Sequence, residues 1–359
     1  MIRIDIRPVW RFSSKTEKDF DFLLIALLEG IEATGKLTKA AESAGISYRH
    51  SWNLIEQWTE FFGTPLVSMQ KGRGTFLTPF GAELLWAGQR VKDRLAPELE
   101  NLASEFARAL NTFADGKALL AIQASHDFAL SRLRELTAGT GLDLDVQYRG
   151  SFDALAALRR GECDIAGFHF PDGELGTMMA RRYAEGLPEG DFSLIAFAKR
   201  TQGFIVNGGN PKAIRSIADL AREDVRIVNR QRGSGTRALL EFMLSREAID
   251  RSRIRGYETE EITHAAVAAL IAGRQADVGF GVQAAAAQYR LDFVPCCTER
   301  YYLACRTALL ETPPVVALID ALRGAPFHEA IASLPGYSAP DAGRTFQTHD
   351  ILSKTETPA

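Results

Sequence analysis

The sequence has little cysteine, and none of it is arranged for a metal or a redox pair. The four residues are Cys163, Cys296, Cys297 and Cys305. No CxxC pair occurs, and the adjacent Cys296 and Cys297 make a poor structural disulfide. All four read as reduced, buried thiols of a cytoplasmic protein. No apolar run is long enough to span a bilayer, so no membrane partner is expected. MIRIDIRPVWRF alternates charged and apolar residues and lacks the apolar core of a secretion signal. The histidines show no HxxxH spacing, so no metal site is expected. Neither a Walker sequence nor a GxSxG elbow is present, and no paired acid and base accompanies the candidate site described below. No catalytic residue is therefore assigned, no cofactor is required, and the chain reads as a non-enzyme. A strong basic excess is missing too: 42 lysines and arginines face 45 aspartates and glutamates, a net charge of −3. Any nucleic-acid partner must be read by a local surface.

What remains is a globular composition, 46% hydrophobic and 24% charged, in 359 residues, long enough for two or three domains. In the first third, DFLLIALLEGIEATG reads as a helix stopping at Gly35. LTKAAESAGISYRHSWNLIEQW follows. Ala40 and Ala41 allow close packing, Gly45 allows a sharp turn, Ile46 pins it, and Ser47 is placed to cap a second helix. This is helix-turn-helix spacing. Leu54 and Ile55 face inward, whereas Tyr48, Arg49 and Asn53 face outward, where a recognition helix meets base edges. LVSMQKGRGTFLTPFGAELL supplies two short strands around Lys71-Gly72-Arg73-Gly74. With Thr75, this suits a wing along a phosphate backbone. The candidate DNA contacts are thus Ser47, Tyr48, Arg49, Asn53, Lys71, Arg73 and Thr75.

From about 79 to 111 the pattern is one long amphipathic helix. Leu84, Val91, Leu95, Leu99, Leu102, Phe106 and Leu110 form its apolar stripe, with a kink or break expected at Pro97. A stripe of this length suits a dimer helix, although packing onto its own domain would also use it. The expected domains are 1–115, a winged helix-turn-helix with the linker helix; 118–340, a ligand domain; and 341–359, a flexible tail.

Beyond Ala118, strands alternate with helices, which implies a parallel sheet with ligands at the strands' carboxyl ends. LIAFAKRTQGFIVN reads as a long strand crossing between lobes, and RLDFVPCCTERYYLACR as paired strands or a return crossing. Ser125, Ser151, and Ser234 with Thr236 sit at strand ends ahead of helices. In NRQRGSGTR, Gly233 and Gly235 open the backbone N–H groups where a helix begins, and Arg230, Arg232 and Arg237 lie nearby. Those parts make an anion site, although an ordinary capped turn has the same letters. His126, His169 and His264 also fall at element ends and are candidate cleft-lining residues. The ligand set is Ser125, His126, Ser151, His169, Arg230, Arg232, Gly233, Ser234, Gly235, Thr236 and His264.

GISYRHSWNLIEQW with KGRGTFLTPFGAELL resembles the winged helix of ModE-type molybdate regulators, relatives of LysR-type domains, over about residues 1–115. GSFDALAALRRGECDIAGFH, NRQRGSGTRALLEFML and THAAVAALIAGRQADVGFGV resemble the PBP-like (periplasmic-binding-protein-like) ligand domain, related to periplasmic molybdate-binding proteins, over about 118–340. The C-terminal oxyanion-binding β-barrels of ModE regulators are missing, and the two-lobed domain takes their place. The resemblance implies an α/β chain: a winged helix-turn-helix, a long dimerisation helix and a type II periplasmic-binding-protein-like domain. It implies a cytoplasmic one-component transcriptional regulator, a homodimer or dimer of dimers, on a double-stranded DNA operator. Ser125, Ser151 and Ser234 match oxyanion-contact positions by this resemblance. The effector it implies is a small anionic ligand: molybdate, tungstate or molybdenum cofactor. The alternatives are a molybdenum-cofactor handling enzyme and a LysR-like regulator sensing an organic acid.

Overall fold

A computed structural model describes residues 4–13, 16–70, 72–111 and 119–352. Among them, no helix is long and apolar enough to cross a membrane. Two compact units form: one from Arg7 to Asp93, the other from Arg94 onward together with the N-terminal residues up to Ile6.

In the first unit, β1 (Arg11–Ser13) pairs antiparallel with β2 (Glu17–Asp19). Among the described residues of MIRIDIRPVWRF, the alternation yields only this short strand. Its aromatic members instead build a cluster: Trp10 stacks on Phe20, and Phe12 meets Trp58 edge-on at 5.9 Å. Helix α1 (Leu23–Thr34) ends at Gly35, whose φ of +62° closes the last turn. Helix α2 (Leu37–Ser43) crosses it where Gly30 meets Ala40; a Cβ on Gly30 would stand 2.8 Å from Ala40. Gly45 then turns with φ +69°, and the Ile46 N–H donates to the Ala41 carbonyl at 3.0 Å. Helix α3 (Tyr48–Phe62) starts at Ser47, whose hydroxyl accepts from the His50 N–H at 3.2 Å. Leu54, Ile55 and Trp58 are buried with Leu24, Leu27, Leu28 and Ile31 in the unit's core. Strands β3 (Val67–Gln70) and β4 (Gly74–Leu77) form the expected hairpin. Thr75 departs from its expected role: its side chain is buried, and its N–H is tied to the Gly35 carbonyl at 2.9 Å. A residue that anchors the wing to α1 presents nothing to a phosphate. Lys71 lies outside the described residues.

Helix α4 (Pro79–Asn111) continues through Pro97, so of the kink or break expected there the break does not occur. An interior proline costs about 3 kcal/mol, but the turns beyond it are held by tertiary bonds. Asn101 pairs with the Tyr148 backbone, donating at 3.1 Å and accepting at 2.6 Å, and Tyr148 Oη donates to Glu100 at 3.0 Å. Ser104 and Arg108 both bond Asp145. These bonds place the second half of α4 in the second unit, so the units part at 93/94, whereas the sequence keeps the helix with the first domain.

The second unit is built on one ten-stranded sheet. Its first lobe holds β5 (Leu119–Ala124), α5 (Phe128–Thr137), β6 (Asp143–Tyr148), α6 (Ser151–Arg160), β7 (Ile165–Pro171) and α7 (Glu174–Ala184). The long β8 (Phe192–Val206) leads to the second lobe: β9 (Ile227–Arg230), α8 (Gly235–Arg246), β10 (Glu260–Glu261), α9 (His264–Ala272), β11 (Val278–Val282) and α10 (Gln283–Gln288). The chain returns along β12 (Asp292–Arg306) to α11 (Pro313–Arg323), α12 (Ala325–Ala332), β13 (Tyr337–Ser338), β14 (Thr345–Gln347) and α13 (Thr348–Leu352). The strand order is β10-β9-β11-β8-β12-β7-β5-β6. β5 is parallel to β6 and β7, and β9 to β10 and β11, while β8 and β12 run antiparallel through both lobes. Each lobe has its own core, around Phe168 and Tyr183 in the first and around Phe204 and Leu239 in the second.

Of its two expected forms, RLDFVPCCTERYYLACR takes the return crossing, as one strand with two register shifts. Two further expectations change. Residues 341–352 are no free tail: β14 pairs with β8, and Leu352 is buried in the first lobe's core; 353–359 lie outside the described residues. Cys163 and Cys305 are buried, but Cys296 is exposed and Cys297 half-buried, because β12 pairs only with β8 until Glu299 meets β7.

Gly74 combines a φ of +116° with the Gly35 carbonyl 2.3 Å from where a Cβ would sit. Gly74→Ala should destabilise the winged-helix unit by about 1–3 kcal/mol. Urea unfolding followed by tryptophan fluorescence will show this as a lower midpoint; an unchanged midpoint would contradict the tie between wing and helix.

Candidate functional site

Three helix starts from the two lobes converge where β8 and β12 cross. In the first lobe, Ser125 follows β5 and Ser151 opens α6, with their hydroxyls 3.5 Å apart. In the second, Gly233 turns with φ +82° and Ser234 caps α8, its Oγ accepting from the Arg237 N–H at 3.1 Å. His264 opens α9, which Thr263 caps. The lobes approach closely here. A Cβ on Gly150 would stand 2.8 Å from the Gly233 carbonyl oxygen, and one on Gly235 would stand 2.6 Å from His169 Cε1. Glycine at 150 and 235 thus lets two helix N-termini of opposite lobes face each other at backbone distance.

The charge around this point is unevenly balanced. Arg230 is buried at the end of β9; its Nε donates to Gln231 at 3.1 Å and its Nη2 to the Ile262 carbonyl at 2.9 Å. Among the described residues, no carboxylate lies within ion-pair distance of it. Burial first, then the nearby Arg200, push its pKa down to about 9. The three histidines are held neutral. Burial is the main cause for each, joined by Arg230 for His126, Arg200 for His169 and both arginines for His264. His264 Nδ1 is buried without a hydrogen-bond partner among the described residues.

Beside Arg230 lies a network that local sequence patterns did not reveal. Arg200, buried in the middle of β8, bonds Asp127 and donates through Nε to Glu299 at 3.0 Å. Asp127 also caps α5, accepting from the Ala129 N–H at 2.8 Å, and accepts from Tyr337 Oη at 2.9 Å. Glu299 further accepts from Gln202 Nε2 at 2.9 Å, and the same amide donates to Thr236 Oγ1 at 3.1 Å. His169 Nδ1 lies 3.2 Å from the other Glu299 oxygen. Burial raises the Glu299 pKa, but the neighbouring His169 and Arg200 more than reverse this, leaving it at about 2. An ionised carboxylate only accepts, so the neutral His169 ring carries its proton on Nδ1 and donates it. The available signal was a charged residue interrupting an apolar crossing strand, Arg200 in β8 and Glu299 in β12.

The structure therefore gathers Ser125, His126, Ser151, His169, Arg230, Gly233, Ser234, Gly235, Thr236 and His264 around one junction of the lobes. Arg232 is not among them. Its side chain is 74% exposed and pairs with Glu258 at 2.8 Å, because it lies in the turn beyond β9. Arg237 is buried, but it is engaged by Glu241, Glu260 and the Arg230 carbonyl. In the other unit, Ser47, Tyr48, Arg49 and Asn53 are exposed on the first half of α3, and Arg73 is exposed at the hairpin turn.

A family model described as the PBP superfamily domain matches residues 133–323, over half of the chain. The chain belongs to this PBP-like family. It is similar to the uncharacterized protein YvgK of Bacillus subtilis, 37% identical over 155 residues that cover 43% of this chain and 50% of that one. The molybdenum-pterin-binding protein MopB of Rhodobacter capsulatus is 31% identical over 24% of this chain and 32% of its own. The molybdenum transport protein ModE of Herbaspirillum seropedicae is 35% identical over 21% and 29%. The chain thus spans half or less of these three relatives' lengths. Among solved structures, CbnR, a LysR family transcriptional regulator, is 16% identical, covers 84% of this chain and 99% of its own, and aligns loosely at a TM-score of 0.39. The second unit is a PBP-like domain of type II strand order, and the first is a winged helix.

The buried histidines give the PBP-like domain a pH signature. Unfolded histidine titrates near pH 6.5. A folded pKa below that means the unfolded chain takes up protons first as pH falls, so stability drops from about pH 6.5 downward. Glu299 contributes its loss only below about pH 4.5, toward 2. Calorimetric unfolding midpoints should therefore fall between pH 7.5 and 5.5. His264→Gln should flatten that slope; an equally steep slope would mean that His264 takes up its proton as readily in the fold as in the unfolded chain.

Proposed function

We propose that this chain is a one-component transcriptional regulator that binds operator DNA through the winged helix and senses a small anion between the lobes of its PBP-like domain. The observation carrying the sensing role is Arg230: a buried guanidinium with no carboxylate partner among the described residues, at a junction of helix N-termini. Burying an uncompensated charge is costly, and an anion that desolvates with it supplies the missing partner. Serine hydroxyls at 125 and 151 add donors beside it.

Molybdenum-linked anions are the class we favour: molybdate, tungstate or molybdenum cofactor. The names of the MopB and ModE relatives support this class. The close approach of Gly150 to Gly233 favours a compact oxyanion over a bulky pterin. Such an anion acts by binding the closed arrangement of the lobes more tightly than the open one. In this reading the cleft senses and does not turn over its ligand, and the regulator works in the cytoplasm as a homodimer or dimer of dimers. The exposed apolar side chains Val91, Leu102 and Phe106 on α4 support self-association.

Thermal-shift screening of the full chain against molybdate, tungstate, sulfate, phosphate and molybdenum cofactor tests the sensing role. A true effector at 100 times its Kd should stabilise by about 2.7 kcal/mol. Arg230→Gln should remove that shift while leaving operator binding in place. If no anion shifts the wild-type chain, the anion-sensing role is wrong.

The DNA role is tested at α3 and the wing. Arg49→Ala should weaken operator binding by roughly 1–3 kcal/mol and relax base preference. Arg73→Ala should weaken all sequences about equally. Unaltered affinity in both variants would remove the proposed DNA surface.

A further inference from the structure

Helix α4 touches both lobes of the PBP-like domain. Its later turns hold the first lobe: Glu100 and Asn101 bond Tyr148 at the end of β6, Glu100 also pairs with Arg134 of α5, and Ser104 and Arg108 bond Asp145. About two turns earlier, Arg94 reaches the second lobe, its Nη1 lying 3.7 Å from Glu261 Oε1 on β10. The Glu261 side chain is fully buried, whereas that of Arg94 is half exposed.

Glu261 is mechanically close to the anion-sensing residue. It stands opposite Arg230 in the parallel β9–β10 pair, and its carbonyl accepts from the Gln231 N–H at 3.1 Å. The next carbonyl, Ile262, accepts from Arg230 Nη2 at 2.9 Å. Arg230 and the strand carrying Glu261 therefore move as one piece. The first lobe keeps its grip on α4 through residues 100–108. Any swing of the second lobe away from the first must then act on the contact between Arg94 and Glu261.

We propose that the Arg94–Glu261 pair is the joint through which closure of the lobes on an anion is passed to α4, the helix that continues through Asp93 into the winged-helix unit. The pair is made when the lobes are closed and parted when the second lobe opens. This inference rests on the regulator reading above. A contact that differs between the two states biases their equilibrium, and the bias is reciprocal: the joint favours anion binding, and anion binding favours the joint.

The test uses the full-length chain, molybdate and tungstate as probes, calorimetry for anion affinity, and fluorescence anisotropy for operator affinity with and without anion. Arg94→Ala removes a half-exposed side chain and leaves Arg230 and the serines in place. It should lower anion affinity about five-fold or more, and should collapse the anion-induced change in operator affinity. Arg94→Lys, which keeps the charge, should retain most of both. Arg230→Gln should bind neither anion. An Arg94→Ala chain with wild-type anion affinity and a full operator response overturns the joint while leaving the sensing reading intact. A wild-type chain that binds neither anion overturns the sensing reading, and the joint with it.

Discussion

The second unit is organised around one buried guanidinium. Arg200 sits in the middle of a fifteen-residue strand with its side chain fully out of water. Burial opposes its charge, but Glu299 and Asp127 outweigh burial and hold its pKa above the usual value. Each carboxylate is committed elsewhere as well: Asp127 caps α5 and holds Tyr337, while Glu299 holds His169 and Gln202. The lobes, both crossing strands and the segment after α12 are thus tied to a single charge. Such a cluster need not add net stability, since desolvation cancels much of its Coulomb energy. Removing one member, however, strands a buried charge at a cost of about 3–5 kcal/mol. Its main effect is to fix which atoms meet at the crossing.

Arg230 stands in contrast to Arg200. It is as buried as Arg200, but no carboxylate answers it among the described residues, and its pKa moves down instead of up. The histidines around it are pushed toward neutrality by burial, helped by Arg230 at His126, Arg200 at His169 and both at His264. The junction therefore holds two buried arginines, the carboxylates of Asp127 and Glu299, both bonded to Arg200, and three histidines whose burial favours the neutral form. Making the histidines cationic would add repulsion from the two arginines.

What could be read from the sequence was local. Gly45, Ile46 and Ser47 specify the helix-turn-helix within three residues, and the wing follows from its glycines, because turns and caps depend on neighbours along the chain. Ser125, Ser151 and the Gly233–Thr236 turn were legible for the same reason. Arg230 and Arg232 were not separable by pattern: two residues apart, one ends a buried strand and the other lies in an exposed turn. The Arg200 network was hidden because its partners are 73 and 99 residues away along the chain. The fate of α4 was likewise non-local. Its apolar stripe was visible, but the polar residues Asn101, Ser104 and Arg108 that assign its second half to the other unit matter only once β6 is beside them.

Glycines, not charged residues, set how closely the two lobes meet. Gly150 and Gly235 permit backbone and ring contact across the junction where any Cβ would intrude. Gln202 then bridges from the crossing strands to Thr236 in the first turn of α8, so the compensated charge of Arg200 and the helix start beside Arg230 share one hydrogen-bonded path. The crossing strands and the first turn of α8 are consequently held by the same hydrogen bonds, although the residues they join lie far apart along the chain.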